Sequence, residues 1–276
     1  MRLKPYLSLL PAVFLILAVT GIALAKTFLG SIGIWGDIGR SPATLANFVS
    51  ISKPATSAVA LSLELATVST LLAAALGLSI AYAIHMALPF SRALAIVTSL
   101  ILITPHVVAA VSFNFLLRDA GFLSRIFHSL SPIWPQFVAG PLWLATILDY
   151  GWKESAFIAL VLLSSLPAKT KELQNAASTL GAKRIQVALK VLFPTVKTAL
   201  IISGGLAFIY SLGSYEATWI LGKTYPEPLS VLTFRLFSNS DLQLRPQAYA
   251  TAVFSVLLIG IAAIAMSLLI PKRAMK

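Results

Sequence analysis

Residues 175–194 read NAASTLGAKRIQVALKVLFP, and they stand between stretches that are almost wholly apolar. The segment carries Lys183, Arg184 and Lys190 and no acid. Just upstream, Pro167 suits the first turn of a helix, and Leu173, Ala176, Ala177 and Leu180 then recur at helical spacing. Gly181 interrupts this pattern, which resumes as Ile185, Ala188, Leu189 and Leu192 before Pro194. The spacing predicts two short amphipathic helices joined at a glycine, where a positive φ costs little. The small residues Ala176, Ala177 and Gly181 would admit a partner's backbone at close range. Periodicity alone fits two readings: a handle gripped by another protein, or an interfacial helix whose lysines face anionic lipid.

The surroundings settle the solvent. The 276-residue chain is 58% hydrophobic and 11% charged, against about 25% charged in soluble domains. Several runs reach the roughly 20 apolar residues of a spanning helix. An all-α polytopic integral membrane protein follows. The chain has no cysteine, which excludes disulfides, thiolate chemistry and Cys-ligated metal. A net charge of +12 fits basic loops beside membrane spans, with no need of nucleic acid.

Hydropathy predicts about six transmembrane helices, over 5–29, 56–84, 93–117, 147–167, 197–222 and 247–270. Arg2 and Lys4 precede an apolar run, and Ala23-Leu24-Ala25 resembles a signal-peptidase site. Yet residues 5–25 are uncharged throughout and long enough to span, so an uncleaved first span is expected. Residues 118–146 should hold a short interfacial helix, since Trp134 and Trp143 favour that depth. With six spans, one side collects twelve Lys and Arg and the other seven, and two more lie in or beside spans. The richer side holds both termini, the 85–92 connection and residues 168–197, which predicts that these face the cytoplasm. We see no soluble domain, so the expected organisation is one permease-like domain over 1–276. Its core runs from about 57 to 270, with an additional N-terminal span.

The 175–194 stretch resembles the signature loop of the permease subunits of binding-protein-dependent ABC importers. That pattern is Glu-Ala-Ala, three residues, Gly, nine residues, an aliphatic residue, one residue, Leu, then Pro. The chain offers Asn175-Ala176-Ala177, Gly181, Val191, Phe193 and Pro194 with every spacing kept. It departs at Asn175, where the family has an acid, and at Phe193, where it has leucine. The resemblance covers residues 57 to 270, including the loop's place between the fourth and fifth spans. It implies a cytoplasmic coupling helix docked on an ATPase, with Asn175, Ala176, Ala177, Gly181, Ala182, Lys183, Arg184 and Pro194 in the docking elbow. Other implied partners are two ATPase subunits, a second permease (homologous or identical) and an extracytoplasmic substrate-binding protein. ATP and Mg would sit on the ATPase and no cofactor on this chain. The location implied is a bacterial or archaeal cytoplasmic (inner) membrane. The stretch 213–237 is similar to permeases for polyamines, thiamine, iron and phosphonates, which implies a small polar solute.

Ionisable groups within spans are expensive and mark function by default. Span four holds Asp149, Lys153 and Glu154, with Lys153 about 20 Å from the cytoplasmic end at 1.5 Å per residue. Glu216 follows Gly213, Ser214 and Tyr215, which would let the helix bend and offer hydroxyls. In related permeases the equivalent of 213–216 lines the translocation pathway. Lys153 and Glu154 fit either an internal ion pair or the pathway. Glu64, near an interface, reads as reaching headgroups. His106 follows Pro105, which frees a carbonyl and kinks span three; it is a pathway candidate or a packing residue. His85, His106 and His128 are too dispersed for a metal set. ATWILGKTY at 217–225 is a near miss for a P-loop, with alanine at its first glycine position. No hydrolase elbow or H-E-x-x-H occurs. An importer subunit, not an enzyme, is therefore expected. The alternative is an ion-coupled secondary transporter using Glu216 and Lys153, against which the lack of an inverted repeat weighs.

Overall fold

The computed structural model describes residues 4–35, 42–127, 134–167 and 169–270. The terminal charges Arg2, Lys272, Arg273 and Lys276, together with Arg40, His128 and loop position 168, lie outside the described residues. The elements in order are α1 (Lys4–Ser31), α2 (Ala46–Ser50), α3 (Ser52–His85), α4 (Ser91–Ile103), α5 (His106–Leu117), α6 (Phe122–Phe127) and α7 (Leu144–Ser164). They continue as α8 (Thr170–Thr179), α9 (Arg184–Val187), α10 (Phe193–Gly213), α11 (Glu216–Leu221), α12 (Leu229–Phe237) and α13 (Arg245–Leu269). Among the described residues, five helical stretches are long and apolar enough to cross a membrane. Helix α7 is not among them because Asp149, Lys153 and Glu154 break its apolar run, yet its 21 residues extend about 31 Å, the thickness of a hydrocarbon core.

The chain forms two compact units, Met1–Val59 with Leu229–Leu258 and Ala60–Pro228 with Ile259–Lys276. In the first, Ile51, Ala58, Leu229, Leu232, Leu236, Ala248 and Ala250 form the core, and Phe48 meets Phe254 edge to face at 5.6 Å. The second unit carries the polar groups. Its α7 packs against α4, α5, α10 and α11 and buries one residue after another along its length. Gly151 lets α7 also lie close to α3, because a Cβ there would stand 2.5 Å from Leu72 Cδ2. Small residues at such crossings let backbones approach where lipid offers no hydrophobic drive.

Two spans differ from the sequence expectation, each for a backbone reason. Span three is two helices, α4 and α5, because Pro105 has no N–H and forces Thr104 into an extended conformation, ψ 124°. Span five begins earlier than expected. Helix α9 runs through a π-type turn, Ala188–Leu192, straight into α10, and Pro194 sits in the first turn of α10, where its missing donor is harmless. The same span ends at Gly213, and Ser214 and Tyr215 separate it from α11. Trp143 is turned into the chain: it is 3% exposed and packs with Leu61, Leu65 and Ile147, while the Trp134 indole donates to Leu117 O at 2.9 Å.

Candidate functional site

The elbow of the 168–194 loop is built by local hydrogen bonds. At the end of α8, Ala182 N donates to Ala177 O at 3.0 Å and Gly181 N to Ser178 O at 2.9 Å. This paired pattern places its closing residue in the left-handed region, and Gly181 has φ +79°. The next helix starts with Lys183 N donating to Gln186 Oε1 at 2.8 Å. The sequence expectation of two helices hinged at Gly181 therefore holds in geometry. Periodicity located the apolar positions without saying what covers them. Thr170 and Gln174 are the buried residues of α8, whereas Leu173 is 58% and Leu180 88% exposed. Ile185 and Leu189 are also exposed. Asn175, Ala176, Lys183, Arg184 and Pro194 lie on this open surface, with Ala177 and Ala182 half-buried beside Gly181. Leu173 and Leu180 are thus left uncovered by their own chain, as apolar side chains at a docking surface would be.

The intramembrane candidates fall into two groups. His106, Lys153 and Glu154 line one cavity of about 280 Å³ with Leu102, Phe157, Leu206 and Tyr210. Its aromatic wall is the His106–Tyr210 pair, with ring centroids 4.5 Å apart. Gly213, Ser214, Tyr215 and Glu216 do not line that cavity; they form the break between α10 and α11 and its first turn. Glu216 is half-buried at the N-terminal turn of α11, where a carboxylate is favoured by the helix dipole. Helix α11 is held by α5, whose Asn114 Nδ2 donates to Ile220 O at 3.1 Å, and by Ala139 N donating to Leu221 O at 2.8 Å. A larger cavity of about 340 Å³, between α3, α7, α10 and the second half of the elbow, is lined mostly by apolar side chains, Ile185 and Leu189 among them.

Lys153 has a role that neither sequence reading foresaw. Its ammonium donates to Ile101 O at 2.5 Å, to Leu102 O at 3.3 Å and to Thr104 O. These carbonyls lie at the end of α4 and in the link that follows it. Ile101 O would ordinarily receive the N–H of residue 105, which is proline, and accepts instead from Thr104 N at 3.2 Å and from the lysine. The lysine thus caps a broken helix, with its three N–H bonds all directed at backbone and none at Glu154. The only hint in the sequence was a buried lysine and a Thr-Pro pair in neighbouring spans. Asp149, one turn away on α7, is fully buried and its carboxyl oxygens find no donor among the described residues. Among the described residues no group of His, Cys, Asp and Glu is arranged to hold a metal ion.

Two interrupted helices beside a cavity that holds His106, Lys153 and Glu154, with an elbow of exposed leucines, fit a membrane transport subunit built on discontinuous spans. Residues 73–276 match the family described as "binding-protein-dependent transport system inner membrane component", and the chain belongs to that family. It is a multi-pass inner-membrane ABC permease. The chain is 30% identical over 115 residues to the probable transport system permease protein NifC of Clostridium pasteurianum, covering 40% of this chain and 39% of that protein. It is 30% identical over 161 residues to the inner membrane ABC transporter permease protein YnjC of Escherichia coli (strain K12), covering 58% of this chain and 30% of that one. The chain thus spans well under half the length of these relatives. In fold it is similar to a bacterial ABC transporter involved in import of the acidic polysaccharide alginate, with TM-score 0.71, 18% identity, and 96% and 95% of the two chains covered. An amino acid ABC transporter solved with histidines is similar at TM-score 0.57 and 17% identity, covering 83% of this chain and 98% of that one. Family membership does not favour the ion-coupled carrier.

Proposed function

We propose that this chain forms half of the translocation pathway of an ATP-driven importer and works by alternating access. Two ATPase subunits grip the 168–194 elbows of this chain and of a second permease. A substrate-binding protein delivers the solute from outside, and both termini face the cytoplasm. The observation that carries the reading is the outward presentation of Leu173 and Leu180 on a loop that keeps the family spacing. Closure of the ATPases would draw the elbows together and re-orient α10, which continues from the elbow through the π-type turn. A solute drives such a cycle only by binding the two states differently.

The pathway residues on this reading are His106, Lys153 and Glu154 around the cavity, with Gly213, Ser214, Tyr215 and Glu216 at the adjoining break. Since Lys153 spends its N–H bonds on backbone, the groups left to meet a solute are the Glu154 carboxylate, the Tyr210 phenol and the His106 imidazole. All three can accept hydrogen bonds, which suits a small polar solute bearing N–H or O–H donors.

The test uses the absence of native cysteine. With L180C as the sole thiol, disulfide or bismaleimide cross-linking to a co-expressed ATPase subunit should be efficient, and membrane-impermeant maleimide should leave intact cells unlabelled. Labelling from outside, or a purified complex in which position 180 contacts only lipid, overturns the proposal.

A further inference from the structure

We infer that Lys153 is the positioning residue that sets the angle between α4 and α5, and so the shape of the cavity that Leu102, His106, Glu154 and Tyr210 enclose; the use of that cavity in transport rests on the proposal above, but the positioning does not. A span interrupted by proline leaves carbonyls that lipid cannot satisfy, and each costs several kcal/mol unless a partner is found. Here one ammonium, 5% exposed, bonds three carbonyls around this break, those of Ile101 and Leu102 in α4 and of Thr104 in the link, with Ile101 O accepting also from Thr104 N at 3.2 Å. The same contact satisfies the lysine, since a buried cation is tolerated only when it is well hydrogen-bonded, and the carbonyl end of a helix carries the favourable partial charge. The interaction also joins elements. Lys153 belongs to α7, while its acceptors lie in α4 and in the link to α5, whose first residue, His106, forms the cavity wall against Tyr210. Moving α5 relative to α4 requires these bonds to be exchanged. Glu154, the next residue, faces the cavity with no N–H of Lys153 directed to it. The device therefore separates two adjacent charged residues into a backbone clamp and a group open to a solute.

The experiment places spin labels on the exposed residues Ile96 of α4 and Phe115 of α5, through I96C and F115C in the otherwise cysteine-free full chain in lipid nanodiscs. A control pair, L160C and I202C, reports on the α7–α10 packing. In the parent the Ile96–Phe115 distance distribution should be narrow. K153M should broaden it and bring in a second population of about 10% or more, the scale on which a minor state becomes measurable. K153R, which retains charge and donors, should restore the parent distribution, and the control pair should stay unchanged in all variants. If K153M fails to insert, K153Q, an uncharged donor, is read in the same way as K153M. The inference is overturned if K153M or its substitute leaves the first distance unchanged, if K153R is as broad as K153M, or if the control pair broadens to the same extent. Failure of ATP-driven uptake with these distances intact would instead overturn the importer reading and spare the clamp.

Discussion

Replacing Gly181 separates the backbone role of the elbow from its docking role. Its φ of +79° costs an ordinary L-residue about 1–2 kcal/mol, and no atom lies within 4 Å of where a Cβ would stand. G181A therefore adds backbone strain and nothing else. An exposed elbow can relax that strain when undocked by fraying the last turn of α8, so the cost is charged to docking. One to two kcal/mol corresponds to about a 5- to 30-fold loss in affinity for the ATPase subunit. Asparagine tolerates the left-handed region better, so G181N should lose less. G181R keeps the strain of alanine and projects a cation from a surface formed by Ala177 and Ala182; it should insert normally yet lose ATP-driven uptake. The assay is titration of the purified permease with its ATPase, together with uptake in proteoliposomes and a membrane-insertion control. The predicted order of affinity is Gly, Asn, Ala, Arg. Alanine matching glycine in affinity would refute the claim that the left-handed closure matters for docking. Undiminished uptake by G181R would refute the docking surface itself.

Other expectations follow from single contacts. L180E changes a side chain that is 88% exposed, so the thermal midpoint of the isolated chain should stay within about 0.5 kcal/mol of the parent while co-purification with the ATPase falls; retention of the full complex counts against the apolar face as the contact. G151V pushes branched carbons toward Leu72, whose Cδ2 is 2.5 Å from the Cβ position; overpacking of about 1–3 kcal/mol should lower the melting midpoint in detergent, and an unchanged midpoint would mean α3 and α7 can separate freely. N114L removes the donor to Ile220 O, 3.1 Å away, for about 1 kcal/mol. Protease or hydrogen-exchange protection should then drop in α11 before it drops in α7, and uniform loss would contradict a local tie.

What the chain's letters determined is what depends on near neighbours. Apolar runs of membrane length declare the solvent, and the 175–194 spacing declares an elbow, because a helix period, a glycine that closes a turn and a proline in a first turn are all satisfied within a few residues. Gly181 is the clearest example: its hydrogen-bond pattern involves only residues 177–182. Even there, the direction in which Leu173 and Leu180 face could not be read, because a helical period locates an apolar stripe without saying whether the chain itself covers it. The breaks were legible as weak points at Pro105 and Gly213, but their extent was not, since a kinked continuous helix and two separate ones contain the same residues. Tertiary structure alone assigned Lys153. Its acceptors lie 49 to 52 residues away, and the choice between an adjacent carboxylate and three carbonyls of another helix depends on which unsatisfied groups the fold delivers to the ammonium. Burial made that choice: inside a membrane protein the groups left without hydrogen bonds are the costliest, and only the packed arrangement of α4, α5 and α7 determines which those are.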